Sequence, residues 1–287
     1  MLVGKIFKYV IACLLFFVFS NSLTAQNFGV YISPGLINYG GDLQQKVYTF
    51  SQASFSISGG VLYNINHFTI RGGFTYGKIQ GNDSAGAVPI RNLSFQSQLT
   101  EGNLCLEYDV FNLAEKKFTP YIFAGAAVYS YNPYTYYNGQ KVYLQPLSTE
   151  GEGLAAYPDR KVYSLTQFAV PWGIGFKYKL TEQFQIGVEF CSRVLFTDYV
   201  DDISTNYPDE TTLLKEKGQL AVDVSFRGDE HNPSSTYPSG AQRGNPSQKD
   251  NYYTSSLSII YMFSRHEQFA NSEGHHKKSK ALNCPKL

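Results

Sequence analysis

From Phe184 to Ser204 the chain reads FQIGVEFCSRVLFTDYVDDIS, with apolar residues at nearly every even position. Phe184, Ile186, Val188, Phe190, Val194 and Phe196 fall on one side; Gln185, Gly187, Glu189, Cys191 and Arg193 fall on the other. A period of two is the mark of a β-strand with one greasy and one polar face. Strands of globular proteins average about 5–6 residues, and this run is far longer. A strand tilted across a bilayer, with lipid outside and a polar lumen inside, accounts for both length and alternation. A long strand of a soluble β-sandwich is the competing reading.

The remainder of the chain favours the bilayer. Alternating segments are predicted at 27–33, 52–63, 68–79, 92–110, 118–131, 164–179 and 252–263, with a Gly-rich bend at 34–42 and an interruption near Glu101-Gly102-Asn103. Strand five carries Tyr121, Phe123, Tyr129 and Tyr131 among small residues. Short turns at Asn64–His67, Phe111–Lys117 and Leu180–Gln183 alternate with long connections at 80–91, 132–163 and 200–251, the last with room for a short helix over Thr211–Val222. Outer-membrane barrels have short periplasmic turns and long extracellular loops, whereas a sandwich has no reason to keep its turns short at one end only. Tyr63, Phe68, Tyr76, Phe118, Tyr131, Tyr178, Phe184 and Phe263 near strand ends suit two interfacial girdles. The expectation is an all-β, eight-stranded antiparallel transmembrane β-barrel over residues 26–263, in contact with outer-membrane lipid and with both termini in the periplasm.

Composition agrees with strands: among 287 residues there are 23 Tyr, 21 Phe and 25 Gly but only 2 Met. Residues 1–25 read as a secretory signal, with Lys5 and Lys8 ahead of an apolar core and Leu23-Thr24-Ala25 before a cleavage site. Losing those two lysines from 24 basic against 23 acidic residues leaves a formal charge near −1, which argues against nucleic acid as a partner. The remaining cysteines, Cys105, Cys191 and Cys284, are odd in number, so they cannot all pair internally. A lumen-facing Cys105–Cys191 pair and two free thiols both stand open. Residues 264–287 are polar and lysine-bearing, and a disordered periplasmic tail is expected there.

The alternation sends Arg71, Glu107, Asp109, Lys177, Glu189 and Arg193 into the lumen. An eight-stranded barrel is just wide enough for side chains to fill, so these charges are expected to pair with one another. A catalytic set is not assembled: His67 falls in an inner turn, His266, His275 and His276 follow the last strand, and His231 has no serine to act on. No enzyme activity and no cofactor are expected. Asp198, Asp201 and Asp202 at the outer end of strand seven have the oxygen chemistry of a calcium site, but their spacing fits no known loop, and solvated carboxylates are the plainer reading.

Several segments occur together in one family's usual order. They are Tyr39-Gly40-Gly41-Asp42-Leu43, Arg91-Asn92-Leu93-Ser94-Phe95, Pro171–Tyr178 (PWGIGFKY) and Phe196-Thr197-Asp198-Tyr199-Val200-Asp201-Asp202-Ile203-Ser204, followed by Arg227-Gly228-Asp229. On these the chain resembles the PorG-type outer-membrane β-barrels of the Bacteroidota type IX secretion system. The resemblance implies a non-enzymatic accessory of protein export, and of gliding motility in some relatives. It also implies partners: the periplasmic ring built from proteins of the PorK and PorN type, which such a barrel anchors. A small ligand-binding or transport barrel, and a barrel enzyme acting on lipid A, are the readings from other classes.

Overall fold

The computed structural model describes residues 27–44, 49–83 and 88–263. The expected signal (1–25) and tail (264–287), with Cys284, lie outside the described residues. Ten strands form: β1 (Phe28–Gly40), β2 (Ser54–Ile65), β3 (Phe68–Asn82), β4 (Ser94–Asp109), β5 (Phe118–Ser130), β6 (Tyr134–Tyr137), β7 (Gln140–Tyr143), β8 (Thr166–Lys179), β9 (Phe184–Leu195) and β10 (Asn251–Met262). Eight of them close into an antiparallel barrel in the order β1-β2-β3-β4-β5-β8-β9-β10, with β10 pairing back onto β1. The hairpin β6–β7 stands apart, attached to β4 through Gln96 and Tyr134.

The outward faces are apolar. Phe55, Phe74, Leu104, Ile122, Phe168, Trp172, Ile174, Phe176, Val188 and Leu257 are all exposed. Water does not tolerate a continuous apolar band of this extent, and among the described residues no helix is long and apolar enough to cross a membrane. The band is a lipid-facing wall. At one end the strands are joined by tight turns, and Asn66 takes the left-handed conformation (φ 56°) needed to reverse the chain between β2 and β3. Rings cluster at that end: Phe28 stacks on Phe263 at 5.6 Å, Tyr261 meets Phe184 at 5.1 Å and Phe68 meets Tyr108 at 5.3 Å in tilted pairs, and Phe111 meets Phe118 edge-on at 5.7 Å.

Inward faces are packed by taper. Gly173 and Gly175 of β8 leave the space that the Phe123 and Tyr121 rings of β5 occupy; a Cβ at Gly173 would lie 2.6 Å from the Phe123 ring. Strand five therefore turns Tyr121, Phe123 and Tyr129 into the barrel rather than toward lipid.

Several boundaries differ from the sequence reading. β1 does not bend at Pro34-Gly35 but runs to Gly40. Proline removes one donor, and the pairing with β10 skips from Ile32–Ile259 to Gly35–Ser256, while the Ser33 and Ser258 hydroxyls bridge the gap at 2.8 Å. β4 passes through Glu101-Gly102-Asn103 without a break, paired on both sides. β9 stops at Leu195, so the stretch Phe196–Ser204 is loop. Tyr131 is buried and belongs to no girdle, and Tyr63 is only half-exposed. The helix expected over Thr211–Val222 is two, α1 (Glu210–Lys217) and α2 (Gln219–Ser225), because Gly218 adopts φ 85° between them.

A lipid-facing wall makes one substitution diagnostic. Ile174→Arg, mid-strand and outward, should lower unfolding stability by about 2–4 kcal/mol in lipid vesicles, the cost of a cation near the bilayer midplane. Urea unfolding followed by tryptophan emission measures it, and a neutral outcome contradicts the lipid face.

Candidate functional site

Two polar assemblies occupy the barrel axis: a charge network in the lumen and a sealed cap over the end with the long loops. In the lumen, Arg71 Nη1 bonds Glu189 at 2.5 Å and lies 3.7 Å from Glu107. Lys177 pairs with Glu107 and, at 3.3 Å, with Asp109. Tyr121 donates to Glu189 at 2.8 Å. Arg193 pairs with Glu101 at 3.0 Å, and Glu101 also accepts from Tyr252 at 2.6 Å and Asn103 at 2.8 Å. Each charge is thus paired and hydrogen-bonded, which is what burial of charge demands. The structure therefore brings Arg71, Glu107, Asp109, Lys177 and Glu189 together within the barrel, while Arg193, expected among them, pairs with Glu101 instead.

Glu101 is the residue the sequence reading missed. Its odd position matches Cys105, Glu107 and Asp109, so the parity signal was present. Gly102 beside it suggested a broken strand and hid the signal. Cys105 and Cys191 are both buried in the lumen as free thiols, beside Tyr121 and Phe123. The cavity left among these side chains is about 20 Å³, room for roughly one water.

The cap brings together two of the stretches that carry the family resemblance. Tyr39-Gly40-Gly41-Asp42-Leu43 ends β1 and turns back through mutual Gly41–Gln44 backbone bonds of 3.0 and 3.1 Å. Leu43 and Tyr39 are fully buried, and the Tyr39 ring meets Phe95 edge-on at 4.8 Å. Gly41 is obligatory, since a Cβ there would collide with the Tyr39 ring and the Asp250 carboxylate. Phe196 faces outward, whereas Thr197, Asp198, Asp201 and Asp202 turn into the cap and Tyr199 packs at its edge. The two stretches meet where Tyr39 bonds Asp201 at 2.6 Å.

Solvated carboxylates are therefore the wrong picture of Asp198, Asp201 and Asp202, which the loop folds inward against polar partners. Asp202 accepts from Thr149 at 2.5 Å and Tyr163 at 2.6 Å, and its backbone carbonyl takes a bond from Arg243 at 2.5 Å. Asp198 accepts from Ser204 at 2.8 Å. Glu150 gathers the cap, accepting from Ser204 N, Thr205 N and Oγ1, and Arg243 at 3.1 Å. Arg91 pairs with Asp83 at 2.7 Å and donates to the carbonyls of Arg243 and Asp42. Below, a ring column of Tyr199, Tyr163, Tyr131 and Tyr129, with successive centroids 4.9, 6.4 and 5.6 Å apart, descends to Tyr252 and so to Glu101.

Among the described residues no group of three or more His, Cys, Asp or Glu is arranged to hold a metal ion. Burial pushes Asp198 up to about 7, Asp202 to about 6 and, with Asp202 and Glu150 adding repulsion, Glu152 to about 8. His231 and the Arg227–Glu230 pair sit on the loop exterior.

The model of a family described as a domain of unknown function (DUF6089) matches residues 5–223, and the chain belongs to that family. No curated protein matches it in sequence. Among solved structures it is similar to Neisserial surface protein A, with TM-score 0.43 and 10% identity over 82% of this chain and 97% of that one. It is also similar to the attachment invasion locus protein Ail of Yersinia pestis, with TM-score 0.38 and 8% identity over 82% and 99%. A third is outer membrane protein OprG of Pseudomonas aeruginosa, with TM-score 0.33 and 9% identity over 84% and 99%. The barrel assignment rests on the pairing register above.

Two outcomes follow from the buried charges. Arg193→Met should cost about 3–5 kcal/mol in urea unfolding by stranding Glu101, and adding Glu101→Gln should recover part of the loss. The carboxyls of Asp198, Asp202 and Glu152 hold protons more tightly in the folded cap than in an unfolded chain, so cap stability is full below about pH 4 and falls as pH rises through 6–8. Amide exchange of Ser204 and Thr205, corrected for its intrinsic rate, should quicken between pH 5.5 and 8.5; unchanged protection contradicts the assignment.

Proposed function

We propose that this member of the DUF6089 family is an outer-membrane barrel that works as an anchor rather than a pore, holding the periplasmic ring of a type IX protein-secretion machine. The observation that carries the anchor reading is the filled axis: ion pairs block the lumen, and the cap closes the mouth above them. Solute diffusion would have to break both. A wall facing lipid and a filled interior suit a protein whose work is mechanical attachment.

The secretion assignment is supported by the resemblance of the Tyr39–Leu43 and Phe196–Ser204 stretches, which the fold makes a single structural unit through Tyr39 and Asp201. On this reading the short-turn end faces the periplasm. The ring of PorK- and PorN-type proteins then docks on the turns at Asn64–His67, Phe111–Lys117 and Leu180–Gln183. The first of these is rigid: His67 Nδ1 and the Asp109 carbonyl lie 2.8 Å apart, and the Asp109 amide donates to the His67 carbonyl at 2.7 Å. A small ligand-binding barrel is the second reading, favoured by the exposed Tyr136 and Tyr143 of the β6–β7 hairpin and by Lys141 lying 3.8 Å over the Tyr134 ring.

Affinity purification of the tagged protein from mildly solubilised outer membranes separates the two. A stoichiometric periplasmic ring lipoprotein is the expected companion, and replacing the Phe111–Lys117 and Leu180–Gln183 turns should abolish its recovery and reduce secretion. A barrel recovered alone, with secretion indifferent to the turns, supports the ligand-binding reading. In planar bilayers the purified protein should show no steady ion conductance.

A further inference from the structure

Tyr39 has one hydroxyl proton and two carboxylate neighbours. Its oxygen lies 2.6 Å from Asp201 Oδ2 and 2.7 Å from Asp250 Oδ1. The other oxygen of each carboxyl is already committed: Asp201 Oδ1 accepts from Ile203 N at 3.0 Å, and Asp250 Oδ2 from Val200 N at 2.8 Å. Among the described residues neither aspartate forms an ion pair, and Tyr39, Asp201 and Asp250 are all fully buried or nearly so. Two short contacts to a hydroxyl need two protons, and tyrosine supplies one. The second has to sit on a carboxyl.

We propose that Tyr39, Asp201 and Asp250 form a proton-sharing latch that holds the cap shut, with one carboxyl donating to the tyrosine oxygen while the tyrosine donates to the other carboxylate. This goes beyond the anchor reading and does not depend on it. The surroundings favour retention of the proton: Asp42 and Asp198 add negative charge near the pair. The cap arginines are bonded elsewhere, Arg91 to Asp83 and Arg243 to Glu150, and of the two only Arg91 also attracts Asp201. Tyr129 of β5, Tyr131 just beyond its end and Lys249 of the last loop complete the titratable groups around it. Loss of the proton to solvent leaves two buried like charges across one hydroxyl, and the loop at Val200–Ile203 then separates from β1. The latch is closed when protonated and open when not.

An asparagine at either aspartate reproduces the protonated form, since its amide donates to Tyr39 while its carbonyl keeps the backbone bond. Infrared difference spectra at neutral pH should therefore show one protonated-carboxyl C=O band lost in Asp201→Asn and likewise in Asp250→Asn, but the latch band retained in Asp198→Asn. In the unaltered chain, exchange at Val200 and Ile203 should rise through the latch's titration by up to about tenfold per pH unit beyond the intrinsic rate, the slope of one proton. Either single Asn variant should flatten that rise. An unchanged band in folded Asp201→Asn and Asp250→Asn overturns the proposal. Should neither variant fold, a wild-type exchange profile without a one-proton step overturns it.

Discussion

Everything in this molecule depends on the pairing of β10 with β1. A backbone surrounded by lipid has no water to satisfy its amides and carbonyls, so each group must bond within the wall, and an open edge is excluded. The register across that seam runs from Gly29–Met262 to Gly40–Asn251, with one skip at Pro34. Closure fixes the circumference at eight strands, and that circumference fixes the interior. Inside so narrow a barrel a charge has only other side chains to answer it, which is why Arg71, Lys177 and Arg193 each meet a carboxylate.

The same narrowness explains the division of labour along the axis. Mid-barrel, paired charges and the Phe123 and Tyr121 rings fill the bore opposite Gly173 and Gly175. Farther out the loops build a core jointly with the strand ends, Leu43, Val200, Ile203 and Val224 packing in one cluster with Ile37, Phe95 and Leu99. That core lets the cap bury carboxylates that a lone loop would leave in water. The tyrosine column joins the two regions, so the cap rests on the lumen network through Tyr252 and Glu101.

The wall was legible because lipid enforces strict alternation: Leu104, Leu106 and Tyr108 face outward and Cys105, Glu107 and Asp109 inward, as their parity indicates. Punctuation misled. Pro34, Gly35 and Gly102 have the local character of breaks, but a strand paired on both sides tolerates them. The cap was not legible. Burial of Asp201 and Asp250 depends on segments about fifty residues or more away in sequence, and periodicity carries no information about such contacts. Tyr121, Phe123 and Tyr129 were ambiguous for a related reason. An aromatic ring suits lipid or a packed lumen equally, and for Tyr121 and Phe123 the glycines on the neighbouring strand decide.

The position of the Tyr39–Asp250 contact bears on how the protein is assembled. Tyr39 lies near the end of the first strand and Asp250 immediately before the last, so the contact forms only when the two have met in register. At the opposite end of the same seam, Phe28 stacks on Phe263. The barrel's last joint is thus clasped at both ends. Loops that emerge early have no lid to build until the chain has gone full circle, which makes the finished lid a readout of completed assembly.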